Sequence, residues 1–210
     1  MGAREIIADI IRHDDRIASL RDELDSLPTT ELKEALVEQI SVVLQQTGQS
    51  DPLPLSLVRL VELACGLEQS AARILRAGLD SANADVRQLI GEALLTLTEP
   101  GIEPIMPAVE HALEAGGAAA EEMPFILAMI EDAGVPRVIE RFLAADDSEV
   151  VASAIEALAD AGDRSSIAML EPLAADARSV SIDGGQGEAT VSLGELAKEA
   201  MDVIAMDEED

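Results

Sequence analysis

The chain has 210 residues, with 42 acidic against 14 basic side chains, a formal charge of -28, 48% apolar residues, one cysteine, two phenylalanines and no tryptophan or tyrosine. That apolar fraction implies one or two folded domains with a stable core, and one cysteine cannot close an internal disulfide. The charge opposes nucleic acid and anionic membrane surfaces, both of which need Lys or Arg against phosphate, so a neutral or basic partner is expected.

Along the chain, Ile6, Ile10, Ile17, Leu20, Leu24 and Leu27 recur at alternating steps of four and three, with His13 at the one polar position of the series. That spacing is a coiled-coil seam. Leu27-Pro28-Thr29-Thr30 breaks the helix, and a second one carries Leu32, Leu36, Ile40, Val43 and Leu44 on one side before a linker over 48–54. Residues 1–50 therefore read as an N-terminal helical hairpin, which either caps the rest or pairs with a second copy in a homodimer.

Beyond residue 51 one helical register recurs. Val86, Ile90, Ala93, Leu94 and Leu97 coincide with Val150, Ala154, Ala157, Leu158 and Ala161 at offsets 0, 4, 7, 8 and 11, and Glu-Ala-Leu coincides at 92–94 and 156–158. These offsets form one stripe of a 3.6-residue period. The same register fits Leu193, Ala197, Ala200, Met201 and Ile204, and looser copies run through Phe125, Ile126, Met129, Ile130 and Ala133 and through Leu60, Leu63, Ala64 and Leu67. Taking the Glu position as marker gives residues 62, 92, 128, 156 and 199, spaced by 30, 36, 28 and 43 residues. Such a period holds two short helices and two turns. Second helices are expected at Pro104 to Ala115, Pro136 to Ala145 and Ser166 to Ala174, the last kinked by Pro172. Asn83 and Ser148 read as N-caps, and Ser192-Leu193-Gly194-Glu195 as a capping box. Val180 to Val191, alternating about a glycine cluster, reads as a short β-hairpin.

Val86-Arg87 followed by Glu92-Ala93-Leu94, and Val150 followed by Glu156-Ala157-Leu158 and Gly162-Asp163, resemble the HEAT-like repeats first described in phycobiliprotein lyases. The resemblance covers residues 52–206. It implies an all-α fold: an α-solenoid of HEAT-like helical hairpins over 51–206, with copies near 53–80, 84–115, 119–145 and 148–176 and a final helix over 192–206. Thr98-Glu99 replaces the usual Gly-Asp in one copy. Small residues such as Ala93, Ala157 and Ala200 fit close helix approach, and each hairpin needs neighbours to cover its apolar faces.

No catalytic, cofactor or metal set emerges from the sequence. The pairs Asp9 with His13 and His111 with Glu114 supply two ligands each, short of a cage. Cys65 lies in the apolar stretch Leu63 to Leu67, where a thiol packs as a small hydrophobe. The glycines at 184, 185 and 187 lack the Lys of a phosphate loop. Phe125 and Phe142 are expected in the core, which leaves a chromophore lyase or maturation factor without stacking groups. The longest strictly apolar run, Phe125 to Ile130, is far below the ~20 residues of a membrane span. Met1 to Asp15 alternates charge with isoleucine pairs, unlike a signal peptide, so a cytoplasmic protein is expected, and the resemblance to HEAT-like repeats implies a bacterial one.

The function these features imply is a non-enzymatic scaffold or adaptor that binds a protein or peptide with a basic surface. Asp146, Asp147, Glu171 and Asp176 are its candidate contacts, because charge becomes denser toward the C-terminus. The alternative is an assembly subunit that self-associates through the N-terminal helices.

Overall fold

The computed structural model describes residues 16–17, 19–24, 26–99, 101–161, 164–183 and 188–207. The expectations for His13, Ile6, Ile10 and the glycine cluster at 184–187 lie outside the described residues. The described chain is mostly helical with one two-stranded antiparallel sheet, so the all-α expectation and the small β-hairpin both hold at that level.

Helical backbone at 16–17 and 19–24 forms α1. It is followed by α2 (Thr29–Gln46), α3 (Leu55–Cys65), α4 (Ala71–Leu75), α5 (Ala84–Leu95), α6 (Met106–Ala115), α7 (Gly117–Ala128), α8 (Val135–Ile139), α9 (Ser148–Ala161), α10 (Arg164–Leu170) and α11 (Leu193–Asp207). Single 3-10 turns extend α4 through Asp80, α8 through Ala144 and α10 through Leu173. Strands β1 (Ser179–Asp183) and β2 (Glu188–Ser192) pair with Val180 opposite Val191.

Local chemistry sets the boundaries. Asn83 accepts hydrogen bonds from the amides of Asp85 and Val86 and so caps α5. At α11, Ser192 Oγ accepts from the Glu195 amide at 3.2 Å while Glu195 accepts from the Ser192 amide at 2.9 Å, the reciprocal pair of a capping box. One cap differs from expectation: Asp147 Oδ1, and not Ser148, accepts from the Glu149 amide, 3.0 Å away, and the Asp147 carbonyl accepts from Val151. A carboxylate there also meets the positive end of the helix dipole. Pro172 falls in the 3-10 turn Glu171–Leu173 after α10 has ended at Leu170, so it terminates that helix and does not kink it.

Packing follows the apolar stripe. The alternate helices α3, α5, α7, α9 and α11 each contact the next, α2 covers α3 and α4, and α4, α6, α8 and α10 lie against these helices from the other side of each turn. Val86, Ile90, Ala93 and Leu94 of α5 are buried, as are Val150, Ala154, Ala157 and Leu158 of α9 and Leu193, Ala197, Ala200 and Ile204 of α11. Burial of this kind stabilises by about 25 cal/mol per Å² of apolar surface removed from water. The two looser copies are shifted from their expected phase. In α3 the buried residues are Leu57, Val61 and Ala64, and in α7 they are Ala119, Met123, Ile126 and Leu127, so both stripes match offsets 0, 4 and 7 with a different starting residue.

The side-chain hydrogen bonds that tie successive hairpins span nearly constant sequence separations. Asn83 reaches back to the carbonyls of Gly48 and Asp51, 35 and 32 residues away. Arg87 bonds Glu122 across 35 residues, the Ile102 amide bonds Asp132 across 30, and His111 bonds Asp80 across 31. Arg141 grips Glu110 across 31 with two bonds of 2.9 Å, and Arg178 reaches Ala145 across 33.

Candidate functional site

Aligning the helices by what they bury reveals which residues share a solvent face. The residue just before the third buried member of the stripe is Leu63 in α3, Glu92 in α5, Phe125 in α7, Glu156 in α9 and Glu199 in α11. Leu63 is half-buried and the other four are exposed. The helices α5, α7, α9 and α11 contact in that order, and taken in series these equivalent positions carry carboxylate, phenyl ring, carboxylate and carboxylate.

Phe125 was expected in the core with Phe142. Phe142 is fully buried, but Phe125 retains 40% of its surface and Met129, one turn on, retains 70%. An exposed aromatic near the end of α7 beside an exposed methionine at its C-cap is a ready contact surface, because both bury large apolar area when covered. On α11 the same kind of exposure is seen at Val203 and Met206.

Charge around these positions is only partly neutralised, by the Arg87 ion pair with Glu122. Burial, reinforced by the facing Asp147 and Glu149, pushes the Glu121 carboxyl above the usual range, with Arg87 opposing the rise. Glu156 is exposed over its side chain as a whole, yet partial desolvation of its carboxyl, then Asp160 and Glu149, pushes its pKa up. A carboxyl whose folded pKa is raised is disfavoured when ionised; its penalty is absent below the unfolded value and grows as pH rises through the folded one. Glu121→Gln and Glu156→Gln are therefore expected to raise the melting temperature at pH 7, with the gain shrinking as pH falls toward 4.5, the ordinary Glu value. Thermal melts across that range check this; an equal gain at every pH contradicts it.

The four carboxylates singled out from sequence do not form one binding cluster. Asp147 caps α9. Asp176 is held in a fork by Arg178, with Nη2 to Oδ2 at 2.7 Å and Nε to Oδ2 at 3.0 Å, and this guanidinium keeps its pKa below the usual carboxylate range. Arg178 Nη1 also donates to the carbonyls of Ala145 and Asp146, which draws the chain at Asp146 and Asp176 together. Glu171 and the Asp146 side chain are exposed. Asp147 and Asp176 thus hold the fold, and the exposed Glu92, Glu156 and Glu199 of the alternate helices, whose repeat is visible in the sequence, were not among the four.

A cleft of about 1020 Å³ opens elsewhere, lined by residues that include Lys33, Arg73, Cys65, Glu68, Glu99 and Glu103. Burial raises the Cys65 thiol pKa, against a hydrogen bond with Thr96 that lowers it, so the sulfur stays protonated rather than acting as a thiolate. Glu68 turns the chain there at φ 39°, a conformation costly for a side chain other than glycine. Among the described residues no group of three His, Cys, Asp or Glu is placed to hold a metal ion, and no helix is long and apolar enough to cross a membrane.

The described residues define a mostly helical protein with one small antiparallel hairpin, side-chain hydrogen bonds at a near-constant sequence interval, and one exposed phenyl ring. No family model, curated protein or solved structure matches the chain.

Proposed function

We propose that this protein is a HEAT-like helical-repeat scaffold, an α-solenoid that binds a basic, amphipathic protein segment on the face carrying Glu92, Phe125, Glu156 and Glu199, without catalysing a reaction. The observation that carries this reading is the equivalence of those four exposed positions on helices that contact one another in sequence. The interhairpin bonds spaced by 30 to 35 residues support the repeat assignment, since a stack of similar units makes the same contact once per unit.

The chemistry of the face selects the ligand. Carboxylates with raised pKa values gain when a cation approaches, and Phe125 with Met129 offers an anchor that excludes water from those contacts. A helix or extended segment bearing Lys or Arg on either side of a large apolar residue satisfies both demands.

The test is a fluorescence anisotropy titration with a labelled amphipathic peptide of lysine and leucine. Phe125→Ala, and separately the triple Glu92→Gln, Glu156→Gln, Glu199→Gln, are each expected to weaken binding about tenfold, roughly 1.4 kcal/mol. The triple removes only three of 42 acidic side chains, so a diffuse attraction to net charge would change little. Affinity falling with added salt is also expected; binding indifferent to both the variants and salt overturns the reading.

A further inference from the structure

The cleft beside α4 holds charges of both signs that are not paired with one another. Its cations are Lys33 of α2 and Arg73 of α4, two helices in mutual contact. Its carboxylates are Glu68, in the turn between α3 and α4, and Glu99 and Glu103, on the segment that leads from α5 to α6. Among the described residues Arg87, Arg141 and Arg178 are each paired with a carboxylate, whereas Lys33, Arg73, Glu68, Glu99 and Glu103 make no ion pair. In a chain with 42 acidic side chains a cation finds a partner easily. That these five share one cleft and stay unpaired means that the helices hold the two signs at separate places.

Size and charge together set the ligand. The cleft's volume of about 1020 Å³ lies at the top of the ~300–1,000 Å³ range of small-molecule sites, roomy for one amino acid and suited to a chain of a few residues. An anion alone gains from Lys33 and Arg73 but is repelled by the three carboxylates and by the net charge of -28. A cation alone leaves Lys33 and Arg73 without a partner. A zwitterion with its charges at opposite ends meets both demands, and Leu97, Pro104 and Pro107 supply apolar wall for what lies between them. The planar fork of the Arg73 guanidinium matches a carboxylate, and an ammonium suits Glu99 and Glu103, four residues apart on one segment.

We propose that this cleft binds a short peptide by its two free termini, the C-terminal carboxylate on Lys33 and Arg73 and the N-terminal ammonium on Glu99 and Glu103. No residue lining it belongs to the face of Glu92, Phe125, Glu156 and Glu199, so the two sites stand or fall separately.

Isothermal titration calorimetry of the full chain with a tetrapeptide of alternating alanine and leucine tests it. The peptide with free termini is expected to bind, and the same peptide amidated at its C-terminus, or acetylated at its N-terminus, to bind about tenfold more weakly. Arg73→Gln is expected to weaken the free peptide about tenfold as well, yet to leave the affinity for the amidated peptide unchanged, because the charge it would have met is already gone. The double variant Glu99→Gln with Glu103→Gln is expected to behave in the same way toward the acetylated peptide. All three side chains are exposed, so the variants are expected to keep the fold, which circular dichroism checks. Free peptide that does not bind at millimolar concentration, a capped peptide that binds as tightly as the free one, or Arg73→Gln that weakens free and amidated peptide alike, each overturns the proposal.

Discussion

Phe142→Ala is expected to destabilise the protein by about 3 to 5 kcal/mol, whereas Phe125→Ala is expected to change stability by less than about 1 kcal/mol. The two rings are the only aromatic side chains in the chain. Phe142 is fully buried in the turn that follows α8, within the core that α8 and α9 share. Removing it loses the transfer energy of the ring and leaves a cavity that the surrounding helices fill only partly. A domain of this size is stable by about 5 to 15 kcal/mol in total, so that one change removes a large fraction. Phe125 already has 40% of its surface in water, and truncating it leaves no enclosed void. Urea unfolding of both variants, beside the peptide titration, separates the roles: Phe142→Ala lowers the midpoint, and Phe125→Ala lowers affinity alone. Equal loss of stability in the two would place Phe125 in the core after all.

Asn83→Ala is expected to cost about 2 to 4 kcal/mol, an effect large for a polar side chain. Asn83 is 2% exposed and works in two directions. Its Oδ1 accepts from Asp85 and Val86 at 3.0 and 3.3 Å, and its Nδ2 donates to the carbonyls of Gly48 and Asp51, both at 2.9 Å. Alanine removes the cap of α5 and also takes a donor from two carbonyls of the segment that joins α2 to α3, of which that of Gly48 keeps the Asp51 amide and that of Asp51 loses its protein partner. Asn83→Asp separates the contributions. It keeps the cap acceptor, and its charge suits the helix N-terminus, but its second oxygen faces the Gly48 and Asp51 carbonyls with no proton to give. It is expected to recover only part of the loss at pH 7 and more as the pH falls and the carboxyl protonates. Full recovery at pH 7, measured by denaturant unfolding, would show that the tether to 48–51 contributes nothing.

Much of the helical layout was legible because the chemistry that fixes it is local. Apolar offsets of 0, 4, 7 and 8 located α5, α9 and α11, and the reciprocal Ser192 and Glu195 pair marked the start of α11 with no help from tertiary structure. The phase of α7 was not legible. Residues 125–130 are apolar throughout, so a 3.6-residue period fits several faces equally well, and only packing between α5 and α9 decides that Ile126 turns inward and Phe125 outward. The phase of α3 slipped for the same reason.

Position on the surface was harder to read than charge. Net charge pointed to an acidic contact surface, but with 42 carboxylates in the chain the sequence offers no way to rank them. Asp147 adjoins Ser148, and both residue types cap helices, so local propensity cannot choose between them. Arg178 is the only cation between residues 165 and 197. That isolation was the available sign that a neighbouring carboxylate, Asp176, would be held by it and withdrawn from binding.

The central claim is that exposed, equivalent positions of the alternate helices form the gripping face. Carbodiimide labelling of carboxylates, read by mass spectrometry with and without saturating basic peptide, tests it most directly. Protection of Glu92, Glu121, Glu156 and Glu199 on binding is the expected result, with Glu103, Glu140 and Glu171 on the intervening turns labelled as before. Protection of Glu103, Glu140 and Glu171 with the first four unchanged would contradict it.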